Sequence, residues 1–299
     1  MLEKKTILIT GATGYLGSAI VDVLLKCGYR IIIYKRSSSN IVHIKKNINL
    51  IFSYDIDVNP ISIAFVKHKI DIVIHTATSY GKNGDSLDVI SSNLIFPVEL
   101  LKATIKYKIK VFINTDSFFS NYTNSLKDYS LSKNQFKQWG ELLSKKYKFK
   151  FINMCLEHVY GPNDSIDKFV NNLFDQCLNN VEKIELTKGY QKRDFIFIND
   201  VVSAYLVVLS NLSTVKNGYF DIGVGCGSSI SIYEFVSRMH KILNSKGKLI
   251  FGEIPYRKDE IMDSYADNSF LKSLGWSCKY GLDKSILIMK QERVLSWSN

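Results

Sequence analysis

The sequence predicts an α/β protein in which a doubly wound parallel sheet is followed by a smaller C-terminal lobe. Three observations lead to this fold class. Short apolar runs rich in β-branched residues alternate with longer segments of helical periodicity through the first half of the chain. A glycine-rich turn, GATGYLG at 11–17, directly follows the first run and opens a helical segment. Strands this uniformly apolar are buried on both faces, because helical crossovers connect them in parallel.

The predicted strands share a high content of isoleucine, valine and aromatic residues, which suit a pleated, buried surface. In chain order they are Thr6–Thr10, Arg30–Tyr34, Leu50–Tyr54, Ile70–His75, Val111–Thr115 and Lys150–Met154. The predicted helices lie between these strands and space their apolar residues three or four apart, as one buried face requires. They are about Leu16–Lys26, Leu94–Tyr107 and Ser130–Lys146.

The alternation gives way to more loops and mixed elements after Tyr160-Gly161-Pro162. We therefore predict a sheet domain over residues 1–155, to which strands return from about residues 193–225. Residues 156–299 are expected to form mainly the smaller lobe.

Composition excludes several classes of protein. The chain has 299 residues and 46% hydrophobic content, which is ample for a large core. Its start, MLEKKTILIT, is charged where a secretion signal is apolar, and no stretch reaches the roughly 18 uncharged apolar residues of a membrane span. We expect a cytoplasmic protein without a membrane partner.

The cysteines are far apart and include no C-x-x-C pair, so we predict reduced, mostly buried thiols and no metal site. They are Cys27, Cys155, Cys177, Cys226 and Cys278. The net charge of +11 comes mainly from lysines spread along the chain. Because no basic arm, ribonucleoprotein motif or helix-turn-helix pattern accompanies it, we expect a solvated surface that attracts phosphate-bearing ligands and no nucleic-acid partner.

The glycine turn predicts a dinucleotide site of the Rossmann type. Its backbone N–H groups and the following helix N-terminus can approach a pyrophosphate, and its last glycine allows close packing of helix on strand. NAD sites of this type place an acid at the end of the second strand, to bind the ribose 2′-hydroxyl. Here that strand ends in Lys35-Arg36-Ser37, which suits the 2′-phosphate of NADPH. We therefore predict NADPH rather than NAD, and an NADP-binding Rossmann domain over residues 1–155.

A tyrosine and a lysine four residues apart follow the fifth predicted strand. Tyr129 and Lys133 lie on one face of a helix, where the ammonium can favour the ionised phenol. Ketone reduction needs a proton donor at the carbonyl oxygen while hydride reaches the carbon. Tyr129 can donate that proton, and Thr115, at the carboxyl end of its strand, can give a second hydrogen bond.

At this point the sequence resembles the extended short-chain dehydrogenase/reductases, the family of nucleotide-sugar epimerases, dehydratases and reductases. TGATGYLG is similar to the family's glycine motif, HTAT at 75–78 to its motif after the fourth strand, and YSLSK to its catalytic helix. LEHVYGP, QKRDFIFINDV and RKDEIMDSYADNSFLKSLGW resemble its later motifs in the same order. Within the family, NTDSFF, HTATSYG and LEHVYGP most resemble the 4-keto sugar-nucleotide reductases of the CDP-abequose synthase type, found in O-antigen (lipopolysaccharide) pathways.

The resemblance implies a set of site residues. The catalytic residues would be Thr115, Tyr129 and Lys133. Residues lining the cofactor would be Gly11, Thr13, Gly14, Tyr15, Leu16, Gly17, Lys35, Arg36, Ser37, Asp55, Ile56, Thr76, Ala77, Thr78 and Asn93, together with Tyr129 and Lys133. Residues binding substrate would be Asp116, Ser117, His158, Arg193 and Arg257, with the two arginines on the nucleotide diphosphate.

Departures from the family pattern narrow the expected reaction. Family dehydratases carry Thr-Asp-Glu where this chain has Thr115-Asp116-Ser117, and the missing glutamate argues against elimination of water. His158 replaces the usual asparagine of its motif, and both a contact with sugar or phosphate and a structural role are compatible with that change. His75 is interpreted as structural.

The favoured function is NADPH-dependent reduction of the C4 ketone of a nucleotide-activated 6-deoxy- or 3,6-dideoxyhexose. By analogy with the family, we also expect a homodimer. One alternative is an NAD-dependent nucleotide-sugar 4-epimerase, which would use the same three residues and keep its cofactor tightly bound. A second alternative is a non-catalytic, dinucleotide-sensing or RNA-binding protein on the same fold. The presence of both Tyr129 and Lys133 argues against that second alternative.

Overall fold

The computed structural model describes residues 5–81, 85–122 and 126–297. The chain divides into two compact units. The first unit runs to Cys155 and also includes Tyr205–Ile222, whereas the second consists of Leu156–Ala204 and the chain from Gly223 onwards.

The strands, in chain order, are β1 (Thr6–Thr10), β2 (Arg30–Lys35), β3 (Phe52–Asp55), β4 (Ile72–His75), β5 (Val111–Ser117), β6 (Lys150–Leu156), β7 (His158–Tyr160), β8 (Lys183–Leu186), β9 (Lys192–Arg193), β10 (Phe195–Phe197), β11 (Gly218–Val224), β12 (Ile230–Ser231) and β13 (Lys248–Phe251). Strands β1 to β6 and β11 form one sheet in the order β11-β6-β5-β4-β1-β2-β3. The pairs β1–β2, β1–β4, β2–β3 and β4–β5 are all parallel. Because the strand order reverses at β1, the predicted doubly wound α/β class is confirmed.

The α-helices, in chain order, are α1 (Tyr15–Lys26), α2 (Ile63–Lys67), α3 (Ser86–Ile90), α4 (Phe96–Lys106), α5 (Lys127–Tyr147), α6 (Phe169–Leu178), α7 (Ile198–Ser210), α8 (Ile232–Leu243), α9 (Ser269–Ser273) and α10 (Leu282–Trp297). The chain also forms 3₁₀-helices at Val42–Leu50 and Phe118–Asn121 and a π-helical turn at Ser91–Ile95.

Apart from β1, the predicted elements differ from the observed ones by one to three residues at one or both ends. The strand predicted from Leu50 begins at Phe52, because Val42–Leu50 is a 3₁₀-helix. The helix predicted from Leu94 begins as α4 at Phe96, after the π-helical turn. The helix predicted from Ser130 begins earlier, at Lys127, after Leu126 has turned the chain in the left-handed region with φ of 51°.

The core of the first unit holds α5 close to the sheet. Phe112 on β5 stacks on Phe151 on β6 with 5.4 Å between ring centroids, and Phe136 of α5 meets both rings edge-on. Gly140 lies one helical turn after Phe136, and a Cβ on it would lie 2.2 Å from Cζ of Phe151. The absence of a side chain at Gly140 therefore sets how closely α5, which carries Tyr129, approaches the sheet.

The described residues of the second unit form three small sheets. β7 pairs with β10 and β8 with β13 in parallel, whereas β9 pairs with β12 antiparallel. Two carboxylates organise its loops: Asp194, fully buried, accepts the backbone N–H groups of Cys226 and Gly227 at 2.8 and 2.9 Å, and Asp200 accepts that of Lys279 at 2.9 Å. Each buried carboxylate thus satisfies backbone donors that no strand uses.

The prediction that the cysteines are reduced, mostly buried thiols is wrong for two of the five, which are bonded to each other, and of the three free cysteines Cys177 is buried. Cys226 and Cys278 form a disulfide across 52 residues, and Cys27 is exposed. The two bonded residues come together because Asp194 holds the chain at Cys226 while Asp200 holds it next to Cys278. Sequence spacing does not reveal this pairing, because it depends on how two distant loops pack.

Within the described ranges, no helix is both long and apolar enough to cross a bilayer. In the same residues, no three His, Cys, Asp or Glu side chains are grouped to hold a metal ion.

We predict that Gly140→Ala destabilises the protein by about 1–3 kcal/mol, because the added methyl group overpacks against Phe151. An ordinary Gly→Ala change inside a helix instead stabilises by about 1 kcal/mol. Urea unfolding of the two proteins measures the difference. Gly281→Ala, just before α10, is a control for the added methyl group alone, since a Cβ at Gly281 meets nothing within 4 Å. A stabilised Gly140→Ala variant would contradict this account of the packing.

Candidate active site

The glycine turn between β1 and α1 is built from close backbone contacts. Gly11 has φ of +71°, and a Cβ there would lie 2.5 Å from the Ala77 nitrogen. A Cβ on Gly17 would lie 2.2 Å from the Gly11 oxygen. Gly14 is exposed at the N-terminus of α1 and has no side chain that could cap the helix. The turn thus offers helix N–H groups without a side chain in front of them, which fits the pyrophosphate of a dinucleotide.

The remaining predicted cofactor residues of this region lie at the same edge of the sheet. Thr13, Tyr15 and Leu16 are partly exposed in the turn and the first turn of α1. The Thr76 hydroxyl donates to the Thr10 carbonyl at 2.8 Å, which joins the ends of β4 and β1. These contacts bring Gly11, Gly17, Thr76 and Ala77 together, as the sequence predicts for a single site.

Residues at the end of β2 have protein partners that the sequence does not suggest. Lys35 forms an ion pair with Asp55 at the end of β3, and only 15% of the lysine side chain is exposed. The backbone N–H of Ile56 donates to the Lys35 carbonyl at 2.9 Å. Arg36 is exposed, whereas Ser37 is hydrogen-bonded to Asp57. Of the two predicted cations, Arg36 is therefore the one that no carboxylate among the described residues pairs with.

Asn93 connects the loop after β4 to the helix that carries Tyr129. Its amide oxygen accepts from Ser79 N–H at 2.7 Å and from the Thr78 hydroxyl at 3.1 Å. Its amide nitrogen donates to the Ser79 carbonyl at 2.8 Å and to the Ser132 hydroxyl at 3.2 Å. All four hydrogen-bonding positions of this buried amide are used, so its contacts in the structure are those of a structural residue.

His75 is fully buried at the end of β4. Its Nδ1 shares a hydrogen bond of 2.7 Å with the Thr10 hydroxyl. Burial, with a smaller contribution from the charge of Lys133, lowers the pKa of His75 well below its ordinary value. The imidazole is therefore neutral and links two adjacent strand ends.

Lys133 and Thr115 are in direct contact. The Lys133 ammonium donates to the backbone carbonyl of Thr115 at 2.6 Å, and the lysine is 4% exposed. Burial lowers the pKa of Lys133, and the nearby Asp116 carboxylate opposes that effect. This hydrogen bond connects the carboxyl end of β5 to α5.

The Thr115 hydroxyl has a partner that sequence reasoning missed. It shares a hydrogen bond of 2.7 Å with the hydroxyl of Tyr205, which is buried on α7. Burial raises the pKa of Tyr205, so its phenol stays protonated and can donate to Thr115. The Thr115 proton is then available to a third group. The only sequence signal for Tyr205 was its place in the helix after the RDFIFINDV motif.

Tyr129 lies under a second tyrosine. It is 5% exposed, and its ring stacks on that of Tyr80 with 4.7 Å between centroids and an angle of 18° between planes. Its hydroxyl is hydrogen-bonded to both Tyr80 and Ser117. Tyr80 itself is 56% exposed, so it forms the solvent-facing side of the pair.

The expectation that Lys133 makes Tyr129 more acidic is not met in this structure. Burial raises the pKa of Tyr129 well above its ordinary value, and Tyr80 and Asp116 raise it further. The hydrogen bond from Ser117 lowers it by less. The Lys133 ammonium is directed to the Thr115 carbonyl, so the phenol is held in its protonated, proton-donating form.

Asp116 and Ser117, predicted to bind substrate, have protein partners. The buried Asp116 carboxylate accepts from Ser117 N–H at 2.8 Å, from the Asn153 amide at 2.9 Å and from the Ser120 hydroxyl at 3.0 Å. It therefore fixes the backbone that follows Thr115. Ser117 reaches the Tyr129 hydroxyl, which keeps it within the site.

The predicted substrate residues of the second unit lie next to two acidic residues, Glu157 and Glu260. The Arg193 guanidinium pairs with Glu260 and donates to the Lys192 carbonyl at 2.7 Å. Arg257 is exposed, and its carbonyl accepts the Glu260 N–H at 3.2 Å. Burial lowers the pKa of His158, and Glu157, 3.5 Å away, opposes that effect. The structure thus pairs the Arg193 side chain with Glu260 and joins the backbone of Arg257 to the same residue.

Comparison with known proteins identifies the family. The model of the NAD dependent epimerase/dehydratase family matches residues 7–223, and the chain belongs to this family. A curated relative, the CDP-abequose synthase of Salmonella muenchen, is 36% identical over 288 residues, which cover 95% of this chain and 96% of the relative.

Two solved structures share the fold. The UDP-glucose 4-epimerase of Thermotoga maritima, solved with UDP-glucose, superposes with a TM-score of 0.85 at 22% identity, covering 98% of this chain and 99% of that one. The UDP-glucose 4-epimerase of Thermus thermophilus, solved with NAD, gives a TM-score of 0.80 at 18% identity over 95% and 97% of the two chains.

We predict that Tyr80→Phe lowers the pKa of Tyr129, because the change removes a hydroxyl that raises this pKa and keeps the stacked ring. Carbon-13 NMR of protein labelled at tyrosine Cζ measures the titration, and the Tyr129→Phe spectrum assigns the resonance. The Tyr129 signal should begin to shift at lower pH in Tyr80→Phe than in the wild type. Tyr147→Phe, an exposed change on the same helix, is the control. An unchanged or raised pKa in Tyr80→Phe would contradict the assigned role of Tyr80.

Proposed function

We propose that this protein reduces the C4 ketone of a nucleotide-activated 6-deoxy- or 3,6-dideoxyhexose with NADPH, as a reductase of the CDP-abequose synthase type. The observation that carries the proposal is that, in the first unit, Lys133 donates to the Thr115 carbonyl one helical turn from Tyr129, whose phenol is kept protonated by burial. The similarity to CDP-abequose synthase along nearly the whole chain supports the substrate class.

The chain's own residues account for the proton step. NADPH, when bound, supplies hydride to the carbonyl carbon. Tyr129 donates its proton to the carbonyl oxygen, and its raised pKa keeps that proton in place until negative charge develops on the oxygen. Lys133 lies one helical turn away on the same face of α5, and we expect its ammonium to turn from the Thr115 carbonyl to the phenolate once the transfer has formed it.

Thr115 provides a second hydrogen bond to the same oxygen. Tyr205 can donate its proton to the Thr115 hydroxyl, and in that arrangement the threonine proton is available to the substrate oxygen. The Asp116 hydrogen bonds fix the backbone immediately after Thr115. A donor held in this way needs little rearrangement when charge develops on the substrate oxygen.

Ser117 favours reduction over dehydration. Elimination of water from a sugar needs an acid that can protonate the leaving hydroxyl, and the resembling dehydratases have a glutamate at this position. A serine hydroxyl, hydrogen-bonded to Tyr129, is a far weaker acid than a carboxylic acid. The proposed product therefore differs from the substrate by two hydrogens only.

The choice of NADPH rests on the end of β2. β2 itself ends in Lys35, followed by Arg36, and not in an acid that could bind a ribose 2′-hydroxyl, and exposed Arg36 is suited to a phosphate. The proposal also includes two sets of predicted contacts and the homodimer. The cofactor is contacted by Thr13, Tyr15, Leu16 and Ile56. The substrate is contacted by His158, Arg193 and Arg257.

An NAD-dependent 4-epimerase is the second candidate. The structures of UDP-glucose 4-epimerases that share the fold, one of them solved with NAD, favour it. The ion pair of Lys35 with Asp55 also favours it, because this pair leaves one cation fewer for a 2′-phosphate. An epimerase takes back the hydride that it removes, so the two reactions differ in their net consumption of cofactor.

The function is tested by supplying a panel of nucleotide 4-ketohexoses, differing in base and in oxygenation at C3, with NADPH. We expect loss of the absorbance of reduced nicotinamide, one equivalent for each ketone consumed, and an alcohol at C4 identified by NMR. The protein should also bind and release added NADPH reversibly. Interconversion of two 4-hydroxy sugar nucleotides with no net loss of NADPH would replace the reductase with the epimerase.

We predict that Tyr129→Phe lowers kcat by roughly 10²–10⁴-fold, because it removes the proton donor. Affinity for NADPH should stay close to that of the wild type, since the hydroxyl is needed only as the ketone is protonated. Steady-state kinetics and calorimetric NADPH binding measure the two effects. Tyr147→Phe, on the exposed part of α5, should leave both unchanged. A kcat within tenfold of wild type for Tyr129→Phe would remove the tyrosine from its role.

A further inference from the structure

The ends of β2 and β3 are joined by three successive contacts. Lys35 and Asp55 pair through their side chains, and the Ile56 N–H donates to the Lys35 carbonyl at 2.9 Å. Beyond the strands, the Ser37 N–H donates to both oxygens of the Asp57 carboxylate, at 2.9 and 3.1 Å. The Ser37 hydroxyl donates to the same carboxylate. Asp57 is thus bound by a backbone and a side-chain donor of one residue.

These donors form a small anion site beside an arginine. Ser37 immediately follows Arg36, and the Ser39 hydroxyl accepts from the Arg36 N–H at 3.0 Å, which holds the turn. Both Ser37 and Asp57 are exposed, so the site opens to solvent. The hydrogen bonds from Ser37 lower the pKa of Asp57, so the group on these donors is an ionised carboxylate at neutral pH.

A ribose 2′-phosphate bound at the end of β2 needs donors of the same kind. A backbone N–H, a serine hydroxyl and an arginine side chain together bind a phosphate well. In this chain the first two already bind the carboxylate of Asp57. The Asp57 carboxylate and a 2′-phosphate would compete for the N–H and hydroxyl hydrogens of Ser37, and the two negative groups would also repel one another.

We propose that Asp57 is a specificity-determining residue that competes with the cofactor's 2′-phosphate for Ser37 and thereby moderates the preference for NADP over NAD. The inference rests on the proposed binding of a nicotinamide dinucleotide at the glycine turn. A phosphate can occupy the Ser37 donors only when Asp57 turns away into solvent. NAD, with a hydroxyl at this position, makes no such demand.

The test compares binding of NADP⁺ and NAD⁺ to the full chain by calorimetry. Asp57→Asn keeps an acceptor for the Ser37 N–H and removes the charge, whereas Asp57→Ala removes both. Asp71→Asn is the matched control, because Asp71 accepts from the Thr6 N–H at 2.8 Å at the opposite end of the sheet and loses the same charge. Thermal unfolding of each variant checks that it folds.

We expect Asp57→Ala to bind NADP⁺ about tenfold more tightly than the wild type, as removal of one nearby like charge at a solvent-exposed site implies. Asp57→Asn should shift affinity in the same direction. NAD⁺ affinity should stay within about twofold, and Asp71→Asn should leave the NADP⁺/NAD⁺ ratio unchanged. The gain should shrink at high ionic strength, because salt screens the repulsion between exposed charges.

An unchanged NADP⁺/NAD⁺ ratio in both Asp57 variants, or weaker NADP⁺ binding, overturns the proposal. Equal weakening of both cofactors overturns it as well, because Asp57 would then serve only to order the turn. These outcomes are independent of ketone reduction. A protein that binds both cofactors as described but reduces no ketohexose would refute the proposed function and leave the role of Asp57 standing.

Discussion

The hydrogen bond from the Lys133 ammonium to the Thr115 carbonyl is the contact on which the arrangement of the site depends. A buried ammonium is costly unless it is hydrogen-bonded, and here the Thr115 carbonyl of β5 accepts a hydrogen bond from it. The bond fixes α5 relative to the strand, and with it the position of Tyr129 on that helix. The absence of a side chain at Gly140 lets α5 lie close enough to the sheet for such a contact.

Much of the sheet could be predicted because its strands are uniform apolar runs. Ile7–Ile9 and Ile31–Ile33 are fully buried, and only a strand covered on both faces makes such a run favourable. The glycine turn could be predicted equally well, because the backbone around Gly11 and Gly17 leaves no room for a Cβ. Helix ends were harder to predict: Leu126, in the left-handed region, and the π-helical turn at Ser91–Ile95 have no distinctive local sequence.

The parts of the site that sequence could not give are contacts between distant residues. The pKa of Tyr129 depends on Tyr80, from another loop, and the orientation of Thr115 depends on Tyr205, which is on a helix far along the chain. The i and i+4 spacing of Tyr129 and Lys133 correctly placed both on one face. It could not show that the ammonium would be directed to a backbone carbonyl. In the same way, the basic end of β2 gave no sign that Asp57 would occupy Ser37.

The amide of Asn93, whose hydrogen-bonding positions are all used, couples the motion of two segments. It binds the backbone of the Tyr80 loop at Ser79 and the helix of Tyr129 at Ser132, so neither segment can separate from the other without breaking bonds to one side chain. Segments linked in this way open as one cooperative unit, with a shared free energy of opening. Amide hydrogens near Tyr80 and near Tyr129 would then exchange with solvent at coupled rates, although nearly fifty residues separate the two rings in the sequence.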